Sequence, residues 1–116
     1  MTTTGTNGPR VFASHTSTDK WEPDVDVGDN GLMHVLCLEG RHEAGLTRLD
    51  EADGPIVWIP PERESFLVLE GSVHIEIEGA PSIDVATGGF ASLPKGAVTT
   101  WHITTPFREF WVMGAE

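Results

Sequence analysis

Val73, Ile75 and Ile77 alternate with the polar residues His74, Glu76 and Glu78. A period of two puts one set on a buried face and the other in solvent, which predicts a half-buried β-strand. Further short apolar runs occupy residues 32–38, 46–49, 56–59, 66–69, 83–85, 90–93, 98–103 and 108–113, with a brief first strand at 10–13. Turn signals separate them: Gly40, Asp53-Gly54-Pro55, Glu70-Gly71 and Glu78-Gly79-Ala80-Pro81. Pro60-Pro61 removes two backbone donors, so the strand before it ends, bulges or runs along an edge. Roughly nine or ten short strands and no amphipathic helix predict an all-β sandwich, jelly roll or small barrel.

The chain has 116 residues, enough for one domain that buries roughly 65% of its unfolded surface. Residues 1–9, rich in Thr and Gly, read as a flexible tail ahead of a barrel at 10–116. Residues 14–30 read as irregular, with Trp21 pinning an acidic surface excursion at 24–29 to the barrel.

Charge narrows the partners. Eighteen acidic residues against seven basic give a formal net charge of −11. Such a chain repels a nucleic-acid backbone and has no basic stripe to offset that. It is equally unsuited to an anionic membrane surface. Cys37, the single cysteine, cannot form an intramolecular disulfide and sits in an apolar run, where a buried inert thiol is expected. The N-terminal residues lack the apolar core of a secretory signal, and no run is long enough to span a bilayer. The expectation is a soluble, cytoplasmic protein.

Two ordered motifs go further. Glu64 and Gly71 have the Glu-x6-Gly spacing, and Gly88 leads through a short apolar strand to Pro94-Lys95-Gly96. Trp58 precedes the first motif, Leu69-Glu70-Gly71 closes it, and Trp101, Pro106 and Arg108 follow the second. In this order the residues resemble the cupin superfamily, in particular the small single-domain cupins related to the ethanolamine-utilisation cupins. The likeness spans residues 45–113. It implies a double-stranded β-helix, a jelly-roll barrel that is usually a homodimer, with a ligand pocket at one open end. Dimerisation would also cover an exposed strand edge.

The chain departs from that family where metal is held. Metal-binding cupins place His-x-His before the glutamate and another His beyond Pro-x-Gly. Here the first pair falls at Val57/Ile59 or Trp58/Pro60, the last at Thr99, and Gly89 stands where an Asp is common. Only Glu64 remains, and one carboxylate does not make a tight divalent site. No metal and no other cofactor is therefore expected. Among the histidines, His74 and His102 are expected outside the barrel, His15 and His42 in loops, and His34 is a pocket candidate. A metalloenzyme with unusual ligands such as His34 or His42 is an alternative.

Strand alternation puts Glu64 with Phe66, and Thr99 with Trp101, on common faces. The resemblance turns those faces inward, and Trp58 and Arg48 join them from neighbouring strands. Trp21 and Trp111 are expected to be packing residues. The result is an aromatic-walled pocket for a small hydrophobic or aromatic, oxygenated metabolite. Burial would raise the pKa of Glu64 and suit it to acid/base work of the isomerase, lyase or cyclase type. Two alternatives stand beside that: a small-molecule binder without turnover, and a structural Glu64 paired with Arg48, Arg63 or Arg108.

Overall fold

The computed structural model describes residues 9–115. The expected tail therefore lies almost wholly outside the described residues. Eight strands follow in chain order: β1 (Glu22–Pro23), β2 (Gly31–Glu39), β3 (His42–Leu49), β4 (Ile56–Trp58), β5 (Arg63–Ile77), β6 (Ala80–Ala86), β7 (Phe90–Leu93) and β8 (Thr99–Gly114). One 3₁₀ turn, Val25–Val27, interrupts them, and no described helix is long and apolar enough to cross a membrane.

Two long strands organise the barrel. β5 and β8 pair antiparallel along their whole length, from Arg63↔Gly114 to Ile77↔Thr99. The first half of β5 also pairs with β7, and the last half of β8 with β3, which carries β2 and β1 beyond it. The other halves pair with β6 and β4. Each long strand thus contributes to two sheet halves.

The bend between the halves was expected to be a turn at Glu70-Gly71; it is a bulge inside one continuous strand. Register shifts flank Glu70, and Gly71 has φ of +77°. A Cβ there would lie 2.4 Å from the Pro106 carbonyl oxygen and 2.6 Å from that of Thr104. Only glycine fits both the φ and the approach. The inserted residue also switches parity: Glu64, Phe66 and Val68 are buried before it, Val73 and Ile75 after it. Likewise, 99–103 and 108–113 belong to the single strand β8. These two mergers, with residues 10–13 outside any strand, bring the count below the expected nine or ten.

The core fills the space between the halves, with Leu49, Val68, Ile75, Leu93 and Phe107 almost completely buried. Burial of this kind stabilises by roughly 25 cal/mol per Å² of apolar surface. Trp21 does act as an anchor: the Arg48 and Arg108 guanidiniums lie 5.7 and 5.5 Å from its ring. The acidic segment it holds is not a free excursion. Asp24, Asp26 and Val27 close one side of a cavity.

Candidate functional site

That cavity, about 270 Å³, lies between the two sheet halves. By comparison with benzene in a cavity of ~150 Å³, it takes on the order of ten non-hydrogen atoms. Its walls are the indoles of Trp58, Trp101 and Trp111 with Leu49, Ile56 and Met113. Five carboxylic residues also line it: Asp24, Asp26, Glu43, Glu64 and Glu109. Lys, Arg and His are absent from the lining among the described residues.

Glu64 enters from the start of β5, where alternation with the exposed Ser65 turns it inward. It is 5% exposed and accepts a 2.6 Å hydrogen bond from Nε1 of Trp58. Trp58 ends β4, just before the Pro60-Pro61 break, so the loop to β5 brings indole and carboxylate together. Desolvation raises the Glu64 pKa; the Trp58 bond lowers it and the Glu43 charge raises it, and burial dominates.

Glu109 is the second carboxyl, on the inward face of β8 between Phe107 and Trp111. It is 5% exposed, and its Oε1 has no hydrogen-bond partner. Burial pushes its pKa well above the ordinary glutamate range, and the charges of Glu64 and Asp24 push it further. Two carboxyls sharing one cavity do not ionise independently; Glu64, steadied by an indole N–H, gives up its proton first.

Thr99, fully buried, works behind the wall. Its hydroxyl donates to the Trp58 carbonyl and accepts from Nε1 of Trp101 at 2.9 Å. It fixes both indoles and is not itself part of the lining. Trp111 donates to Oγ1 of Thr47 at 2.8 Å. Gly45 makes room for the Trp111 ring, since a Cβ there would meet it at 2.9 Å.

Of the residues expected in the pocket, Glu64, Trp58 and Trp101 meet there. Phe66 does not reach it; its ring packs behind Trp101, centroids 5.0 Å apart. Arg48 points outward, because its neighbours Thr47 and Leu49 take the inward positions, and it binds Asp50 at 2.9 Å. His34 also faces away from the cavity, since Met33 beside it lines the wall. Its ring nitrogens meet Lys20 O and Ser14 Oγ, both at 2.9 Å. Trp111, expected to be packing only, is a wall residue. None of the three arginines weighed as Glu64 partners lines its cavity. His74 and His102 lie outside, against Asp84 and Glu76. His42 begins β3 rather than sitting in a loop, and Cys37 is half-buried.

Glu109 was missed in the sequence, although a signal was there. Phe107, Glu109, Trp111 and Met113 share one parity, which puts the glutamate on an apolar face.

The donor set does not fit the metal that many proteins of this architecture hold. Val57 and Ile59, or Trp58 and Pro60, stand at the first two ligand positions and the engaged Thr99 hydroxyl at the last, and none of these is a metal ligand of that kind. Among the described residues, no three His, Cys, Asp or Glu side chains converge on a point a metal ion could occupy.

A β-barrel of two sheet halves with a cavity between them is the architecture of small cupins. The EutQ-like cupin domain matches residues 49–110, more than half the chain, and the chain belongs to that family. Solved structures agree on the fold. A putative ethanolamine utilization protein Q from Salmonella typhimurium is 22% identical, covers 90% of this chain and 94% of its own, and superposes with a TM-score of 0.68. The Clostridium difficile EutQ protein is 20% identical, with coverages of 73% and 68% and a TM-score of 0.61. The Cnp3 cupin domain of Schizosaccharomyces pombe is 14% identical, with coverages of 92% and 76% and a TM-score of 0.73. No curated protein was found to match the chain. At these identities the likeness carries the fold and no activity.

Proposed function

We propose that this cupin is an enzyme that binds a small hydrophobic or aromatic metabolite in its barrel and moves a proton on it, with Glu64 as the carrier. The observation that supports this reading most is the state of Glu64: buried in a ligand-sized cavity, oriented by one indole N–H, with no Lys, Arg or His among the described lining residues to hold its proton off. A carboxylate with a raised pKa can take a proton from a C–H or O–H and return it elsewhere on the same molecule. Isomerisation, dehydration and cyclisation all need that step. Trp58 and Trp101 hold the apolar body of the substrate, and Glu109 anchors its polar end.

Deuterium exchange tests the reading. Small ligands shown to bind are incubated with protein in D2O and followed by NMR. Wild type should wash solvent deuterium into a ligand C–H position, and Glu64→Gln should slow this by about a hundredfold or more. Exchange at an unchanged rate in Glu64→Gln would remove Glu64 from the role. Binding with no exchange in wild type would leave a small-molecule carrier rather than an enzyme.

A further inference from the structure

We propose that the cavity selects a small organic cation, a protonated amine on an apolar body, with its N–H donors on Glu109 and its charge facing the indole walls. This deepens, and rests on, the reading of the cavity as the ligand site.

The hydrogen-bond inventory of the lining points this way. All three indole N–H groups are already spent, on Glu64, Thr99 and Thr47. No Lys, Arg or His lines the cavity among the described residues. Apart from the Thr47 hydroxyl, what the side chains of the walls still offer is mainly acceptor oxygen, and Oε1 of Glu109 is a buried acceptor with nothing donating to it. Buried polar atoms are rarely left so, and because Glu109 lines the cavity its carboxyl is within reach of what enters. A carboxylate, phosphate or ketone would find almost no donor there. An ammonium brings donors.

Charge agrees with the inventory. Five carboxylic side chains around one small space repel an anion and draw in a cation, the more so where water is excluded. Burial first, and then the charges of Glu64 and Asp24, favours a proton on Glu109. That proton and the Thr47 hydroxyl are the spare side-chain donors for a neutral ligand, and the negative charges that help retain the proton also attract a cation. Indole faces attract cations too, more strongly than any other side-chain ring. The carboxyls do not converge on a single point, so the site suits an extended organic cation better than a metal ion. The apolar share of the walls calls for a hydrocarbon body beyond the amine.

Matched probes separate charge from shape: benzylamine, benzyl alcohol and benzoate, then butylamine, butanol and butyrate. Dissociation constants come from calorimetry at fixed ionic strength on the full-length protein. In at least one series the amine should bind about tenfold or more tightly than the alcohol, the carboxylate not at all. Glu109→Gln, checked for folding by circular dichroism, should cut that preference about tenfold. Benzyltrimethylammonium, which has charge but no N–H, should bind more weakly than benzylamine. Alcohol or carboxylate binding as tightly as the amine, no amine binding in either series, a preference unchanged in Glu109→Gln, or displacement by Mg²⁺ at matched ionic strength would each overturn the proposal. The enzyme reading is judged separately. Amine preference without deuterium exchange keeps this inference and sinks that one; exchange lost in Glu64→Gln together with no amine preference does the reverse.

Discussion

Nε1 of Trp58 donates to Oε1 of Glu64 across 2.6 Å, and that single bond is what opposes burial in setting the charge of the carboxyl. Burial favours the neutral acid, the indole N–H favours the carboxylate, and burial prevails. Trp58→Phe keeps a ring in the wall but removes the donor. Glu64 should then ionise at higher pH than in wild type, as read by ¹³C NMR of its carboxyl carbon. A titration that stays put or moves down would show that the indole does not act on the charge.

Glu109 makes a prediction about stability. Its folded pKa lies above its unfolded value, so the folded state holds a proton the unfolded chain releases. Its stabilising contribution is complete below the unfolded pKa of about 4.3 and is lost as pH rises toward the folded one. Glu109→Gln cannot ionise. Relative to wild type, it should gain stability with rising pH, by at most about 1.4 kcal/mol per unit. Urea unfolding of both proteins from pH 5 to pH 8 measures this. Parallel curves would mean that Glu109 is already charged in the fold.

Thr99→Val keeps the shape of a buried side chain while stranding the Trp58 carbonyl and the Trp101 N–H. An unsatisfied buried group costs about 1–3 kcal/mol, so a loss of at least about 2 kcal/mol is expected. Adding Trp101→Phe removes the stranded donor, and the double variant should lose less than the sum of the singles. Strict additivity in urea unfolding would break the link.

Gly71 and Gly79 share a positive φ, +77° and +80°, but not their surroundings. Around Gly79 there is open space; at Gly71 a Cβ would run into two carbonyl oxygens. Gly79→Ala should cost the left-handed conformation alone, about 1–2 kcal/mol. Gly71→Ala should cost clearly more, as the bulge that bends β5 has nowhere to move. Equal losses in thermal or urea unfolding would contradict this placement of the bulge.

The strands were legible because alternation and glycine turns are local signals. Glu64, Trp58 and Trp101 followed from motif spacing. What failed was parity in strands covered on both sides. In β3, Ala44 to Thr47 are all buried, so burial does not mark which face of Arg48 is inward. In β2 a bulge between Val35 and Cys37 breaks the alternation near His34. Glu70-Gly71 reads as a turn because a glycine bulge and a glycine turn have the same local sequence; only the pairing with β8 tells them apart. Glu109 was the costliest miss. A charged residue between Arg108 and Phe110 reads as solvated until the apolar parity of Phe107, Trp111 and Met113 is set against it.

Two buried carboxyls of unequal proton affinity share one aromatic cavity. The direct measurement is a site-resolved ¹³C NMR titration of Glu64 and Glu109, assigned with Glu64→Gln and Glu109→Gln. Glu64 should titrate above its ordinary value and Glu109 well above it and after Glu64, and Glu109 should move down when Glu64 is replaced by Gln. Two carboxyls titrating independently in the ordinary range would contradict it.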